Sequence, residues 1–133
     1  MLSLDKVYQA AHCLKSVARK TDMIAAPGLC CGGMEFQLKA ENLQTTGSFK
    51  LRGAFFKIAS LPDSAKGPIV ACSAGNHAQG VALAAGRLNR KAIIFIPSIA
   101  PIAKIEATRA LGAEVRIIDG VYDDAHKAAA EYC

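Results

Sequence analysis

A chain of 133 residues, 52% hydrophobic and 20% charged, is long enough to bury one core and too apolar to stay disordered. Its net charge of +5 is spread from Lys6 to Lys127, and aromatics make up only 6% with no tryptophan. That leaves little for base stacking and excludes a nucleic-acid surface; the charge reads as a solvated face with some attraction for phosphate and carboxylate ligands.

No apolar run approaches the ~20 residues of a membrane span. Met1 to Tyr8 carries Asp5 and Lys6 where a signal peptide has its apolar centre, so the expectation is a cytoplasmic protein without a membrane partner. The cysteines at 13, 30, 31, 72 and 133 are odd in number and lack C-x-x-C spacing. Without a secretory signal they read as reduced thiols. Cys30-Cys31 has no nearby second ligand pair, so no metal site is expected, and Cys72 reads as a small core residue.

In chain order, Leu4, Val7, Tyr8, Ala11, Leu14, Val17 and Ala18 form an apolar stripe at helical spacing, with Ser3 as its cap and Asp5 in the favourable first turn. His12 lies beside the stripe and reads as surface or packing. Pro27-Gly28 and Gly32-Gly33 mark a loop; the double glycine lacks the helix start that a phosphate cradle needs. Residues 34–40 alternate, so that Met34, Phe36, Leu38 and Ala40 share one face of a strand. A helix follows, with Leu51, Ala54, Phe55 and Ile58 on its apolar side. Beyond the break at Pro62-Asp63-Ser64, short apolar strands at 69–72, 92–96 and 115–118 alternate with helices near 77–88 and 101–111. Pro101 suits a first helical position and Gly112 a helix end. Asp123 or Asp124 opens a last helix carrying Ala125, Ala128 and Ala129. Such alternation means βαβ units on a parallel sheet with right-handed crossovers.

Two stretches carry chemistry. Thr45-Thr46-Gly47-Ser48-Phe49-Lys50 stands between the 34–40 strand and the next helix, where the Ser48 hydroxyl can accept from the backbone two or three residues on. Lys50 then falls in the first turn, where a cation is disfavoured and the free amine that imine formation requires is favoured. A solvated first-turn lysine fits the same spacing. Ser73-Ala74-Gly75-Asn76 lies where a parallel strand hands over to a helix, the place where α/β proteins bind ligands. Successive N–H groups there make an anion cradle suited to a carboxylate, Gly75 lets the backbone come close, and Asn76 offers both donor and acceptor. An ordinary Gly-Asn turn also fits.

Glu41-Asn42-Leu43-Gln44-Thr45-Thr46-Gly47-Ser48-Phe49-Lys50-Leu51-Arg52-Gly53-Ala54 resembles the lysine motif of pyridoxal-phosphate-dependent threonine dehydratases (threonine ammonia-lyases), in the tryptophan-synthase-β-like fold family. Ala71-Cys72-Ser73-Ala74-Gly75-Asn76-His77-Ala78-Gln79-Gly80 resembles the substrate and cofactor loop of the same family; cysteine synthases and tryptophan synthase β chains carry different versions. The similarity runs from about Leu4 onward and is weakest at residues 26–33. It implies the cofactor pyridoxal 5'-phosphate, with Lys50 forming the Schiff base and moving the Cα proton. Phe49 would lie against the cofactor ring and Asn76 would bond its phenolic oxygen. Ser73, Ala74, Gly75 and the His77 backbone would hold the substrate carboxylate. The reaction implied is conversion of L-threonine or L-serine to a 2-oxo acid and ammonia. His126 reads as inert.

The expected architecture is α/β: a parallel-sheet βαβ small domain over 51–133, cut in its last helix, plus the opening helix and strand of a truncated larger domain over 1–50. The family's glycine-rich phosphate loop has no counterpart here, and this stretch alone is expected to be inactive. The complete enzyme is expected to be a homo-oligomer acting on a small amino acid. A serine racemase-like enzyme shares both motifs, and a catalytically inactive α/β fragment is the alternative from another class.

Overall fold

A computed structural model describes residues 2–30 and 32–133, which leaves Cys31 of the Cys30-Cys31 pair outside the described residues. Among them the elements are α1 (Leu4–Cys13), β1 (Met23–Ala25), β2 (Gln37–Lys39), α2 (Lys50–Ala59), β3 (Ile69–Cys72), α3 (Asn76–Arg87), β4 (Ala92–Pro97), α4 (Ile102–Ala110), β5 (Glu114–Ile118) and α5 (Tyr122–Tyr132). β3, β4 and β5 form a parallel sheet in that order, Ile69 standing opposite Ala92 and Ile93 opposite Glu114. β1 and β2 make a separate antiparallel pair with Ile24 opposite Leu38. The α/β class and the parallel sheet expected from the alternating pattern are therefore present.

β4 is the centre of the molecule. All six of its residues are buried, as befits a parallel strand covered on both faces. Alternation divides them. Ala92, Ile94 and Ile96 join the larger core with Leu51, Ala54, Phe55 and Ile58 of α2, Val81, Ala82 and Ala85 of α3, and Ile105 of α4. Ile93 and Phe95 face the other way, onto Ala125 and Ala129 of α5. Each fully buried branched side chain contributes about 1.5–3 kcal/mol of transfer free energy, so β4 pins the sheet between its helices. The Arg116 guanidinium sits 4.4 Å from the centroid of Tyr132 and 5.6 Å from that of Phe95, fastening the end of α5 to the sheet.

Several local expectations shift. Ser3 caps α1 by accepting from the Lys6 N–H at 3.4 Å, but the helix stops at Cys13 and turns carry the chain through Val17. The strand expected over 34–40 is only Gln37–Lys39; three residues suffice because β1, which the pattern does not reveal, supplies a short partner. Of its expected inner face only Ala40 is buried, while Leu38 stays 52% exposed, and Leu4 on α1 is 66% exposed. Pro101 is the cap of α4 and not its first residue. Gly112 takes φ +87 just past the helix end, where its N–H bonds the Arg109 carbonyl at 2.8 Å. Asp124 sits in the first turn of α5, and its carboxylate accepts from the Val121 N–H at 2.8 Å. No helix among the described residues is long and apolar enough to cross a membrane.

Candidate active site

The lysine turn is built by alternation. Gln44, Thr46 and Ser48 are buried, whereas Thr45, Gly47 and Phe49 face out, with Gly47 at φ +67 where a side chain would be strained. Ser48 Oγ accepts from the Lys50 N–H at 3.4 Å, two residues on as expected, although the cap position itself is Phe49. Lys50 is the first residue of α2 and is exposed, its Nζ 5.0 Å from the Phe49 ring centroid. Phe49 keeps 59% of its surface in solvent, so an apolar face and a primary amine are presented side by side.

A polar ring that the sequence reading did not foresee holds this turn. Arg52 Nε and Nη2 donate to the two carboxylate oxygens of Glu41, each at 2.8 Å, closing a fork across the residues that contain Lys50. Thr21 Oγ1 donates to the same carboxylate at 2.6 Å. Gln44 pairs both ways with the Arg19 backbone, accepting at 2.9 Å and donating at 3.1 Å, and Lys39 Nζ donates to the Thr21 carbonyl. The Arg52 bonds hold the Glu41 carboxyl down at about 2, well below the usual carboxylate range, although partial burial pulls the other way. The only signal in the sequence was that Glu41 and Arg52 both fall inside the lysine motif.

The second motif arrives from β3. Ser73 continues the strand by donating its N–H to the Phe95 carbonyl at 3.2 Å, and its Oγ accepts from the Gly75 N–H at 3.2 Å. Ala74 and Gly75 are half-buried, and α3 starts at Asn76, so the Asn76 and His77 N–H groups lie in a first turn that no preceding turn supplies with acceptors. Desolvation, then the positive charge of nearby Lys50, lowers the His77 pKa. The two motifs meet at Gly80 of α3: a Cβ there would stand 3.0 Å from the Lys50 carbonyl carbon and 3.1 Å from the Leu51 nitrogen. Lys50, Phe49 and His77 are thus gathered at the facing first turns of α2 and α3. Asn76 shares a cleft of about 480 Å³ with Thr45, Thr46, Gly47, Gln79 and Lys104.

His126 stacks on Tyr122 at 6.0 Å on α5, within its own helix. A cleft of about 460 Å³ between Leu61, Val70, Arg90 and Tyr132 is lined by neither motif. Its Arg90 guanidinium is engaged by the Ala65 and Gly67 carbonyls, both at 2.6 Å, which makes it a loop brace.

Residues 14–133 match the family described as pyridoxal-phosphate dependent enzyme. The chain belongs to that family. Its cofactor is therefore pyridoxal phosphate. The chain is 47% identical over 131 residues to the L-threonine ammonia-lyase of Thermotoga maritima, a match covering 97% of this chain and 33% of that one. Among solved structures it resembles the T.th. threonine deaminase (TM-score 0.84, 36% identity, 98% of this chain and 42% of that one). It resembles maize serine racemase similarly (TM-score 0.87, 28% identity, 97% and 40%). The chain thus spans about a third of the length of the curated relative it matches.

The side chains present fit the aldehyde end of the cofactor. Carbonyl capture needs an accessible primary amine, and Lys50 is exposed. A phenolic oxygen accepts hydrogen bonds, and Asn76 carries an amide that can donate one. The buried Thr46 Oγ1, in the same cleft as Asn76, has no hydrogen-bond partner among the described residues.

Proposed function

We propose that this chain contributes the lysine and the carboxylate loop to a pyridoxal-phosphate-dependent deamination of L-threonine, or L-serine, to a 2-oxo acid and ammonia. The observation that carries the reading is the exposed Lys50 amine in the first turn of α2, beside the first turn of α3 with Asn76 and His77. The relative named L-threonine ammonia-lyase supports it on the side of the substrate. When bound, the cofactor supplies an aldehyde that captures amines and a pyridine ring that draws electrons from the substrate Cα.

The chain's own residues then have separable tasks. Lys50 would hold the cofactor through its Nζ, and its free amine would be the group that takes the proton from the substrate Cα. Phe49 covers part of the cofactor ring. Asn76 donates to the phenolic oxygen. The Ser73 hydroxyl, the Gly75 backbone and the first-turn N–H of His77, with Ala74 spacing the turn, bind the substrate carboxylate at the positive end of α3. In this reading residues 1–50 belong to a larger cofactor-binding domain and 51–133 to a smaller α/β domain. The enzyme works in the cytoplasm as a homo-oligomer.

A racemase reading is favoured by the likeness to maize serine racemase. Both are tested together by incubating the holoenzyme with L-threonine and with L-serine, measuring 2-oxobutanoate, pyruvate and D-serine against a Lys50→Ala control. Deamination predicts 2-oxo acid release that the control lacks. D-serine without 2-oxo acid would replace the ammonia-lyase reading by the racemase one.

A further inference from the structure

We propose that Lys104 is a positioning residue that orients Asn76 and, through it, sets the charge balance at the cofactor's phenolic oxygen. The inference rests on the role given to Asn76 above and deepens it. α4 crosses beside α3 so that Lys104 Nζ donates to Asn76 Oδ1 at 2.9 Å, joining side chains 28 positions apart in the sequence. An ammonium group is a donor only, so the carbonyl end of the amide must face it. The flipped amide would set N–H against N–H. The Lys104 contact therefore assigns the Asn76 rotamer and leaves its Nδ2 hydrogens for a different acceptor, which suits an oxygen that carries negative charge.

The backbone that carries Lys104 is fixed in the first turn of α4. The Lys104 N–H bonds the Pro101 carbonyl at 2.9 Å, and its carbonyl accepts from Thr108 Oγ1 at 2.8 Å, with Thr108 fully buried. The remaining residues of that cleft bring no further charge among the described residues. The other titratable groups nearby are His77, next to Asn76 on α3, and Lys50 on α2, which bears on His77. On α4, Glu106 and Arg109 pair with each other at 2.6 Å. A donor chain running from Lys104 through the Asn76 carbonyl to its N–H polarises in one direction and makes the amide a stronger donor. It favours the more negative, deprotonated form of the bound cofactor.

The test is the pH titration of the cofactor's visible absorbance in the holoenzyme, for the wild type, Lys104→Met, Lys104→Arg and Asn76→Ala, with circular dichroism to check the fold. Lys104→Met is expected to move the midpoint upward, in the same direction as Asn76→Ala, changing the ionisation constant by about three- to tenfold, the range that a lost hydrogen bond produces. Lys104→Arg, which restores a cationic donor, is expected to return it towards the wild-type value. A shift in Asn76→Ala with none in Lys104→Met would overturn the positioning role and leave the Asn76 reading standing. No shift in either would remove Asn76 from the site and the inference with it. Equal shifts in Lys104→Met and Lys104→Arg would also overturn it, since a donor at that place would not matter.

Discussion

Gly80 and Lys50 touch through backbone: an added Cβ at Gly80 would come within 3.1 Å of the Lys50 carbonyl oxygen and within 3.0 Å of its carbonyl carbon. Backbone cannot swing aside as a side-chain tip can, so the close crossing of α3 over the start of α2 depends on glycine. Overpacking of this kind costs about 1–3 kcal/mol, against a gain of up to about 1 kcal/mol from placing alanine in a helix. Gly80→Ala is expected to lower stability in urea by up to about 2 kcal/mol and to displace the lysine. Gly53, on α2, has nothing among the described residues within 4 Å of its added Cβ, so Gly53→Ala is expected to gain about 0.5–1 kcal/mol. Equal stability for the two variants would show that the crossing has room to spare.

The Glu41–Arg52 fork gives the fold an acid-sensitive joint. The folded carboxyl titrates at about 2 and the unfolded one near 4.5, so the ionised form is favoured in the fold. The stabilisation is complete above about pH 4.5 and is lost as the pH falls from there towards 2. It amounts to on the order of 2–3 kcal/mol at neutral pH, because Glu41 keeps little solvent contact while Arg52 is a third exposed. Glu41→Gln is expected to cost about 2 kcal/mol at pH 7 and to flatten the stability profile between pH 4.5 and 2. A variant that keeps the wild-type acid slope would assign that slope to other carboxylates.

His77 reports on Lys50 without any cofactor present. Desolvation and then the Lys50 charge hold its pKa below the ordinary histidine value, so the neutral ring is favoured in the fold. Its contribution to stability is present above the ordinary histidine range and is lost as the pH falls through that range to the folded value. Lys50→Met removes the charge and is expected to move the His77 titration upward, as read by NMR of the ring protons. An unchanged titration would separate the two side chains.

The sheet was legible because its strands are apolar, β-branched and separated by helix-period segments; β3 matches its expected limits and β4 differs by Pro97 alone. The helix face of Leu51, Ala54, Phe55 and Ile58 was legible for the same reason. Periodicity says which face is apolar but not what covers it: Leu14 near the end of the first stripe joins the core, whereas Leu4, Val7 and Tyr8 on α1 and Leu38 on β2 stay exposed. β1 escaped because Met23–Ala25 is three residues long with no buried side, too short for any period to register. The motifs flagged Lys50 and Asn76 as single residues. The Glu41–Arg52–Thr21 ring and the Lys104–Asn76 bond stayed invisible because they join side chains 11 to 28 positions apart, and only the fold brings them together.

The central claim is that Lys50 is the residue that carries the cofactor. Reduction of the holoenzyme with borohydride, followed by mapping of the labelled peptide, tests it most directly. The label is predicted on Lys50 alone, and a Lys50→Ala protein should take none. Label on Lys39, Lys57 or Lys104 in its place would contradict the site described here.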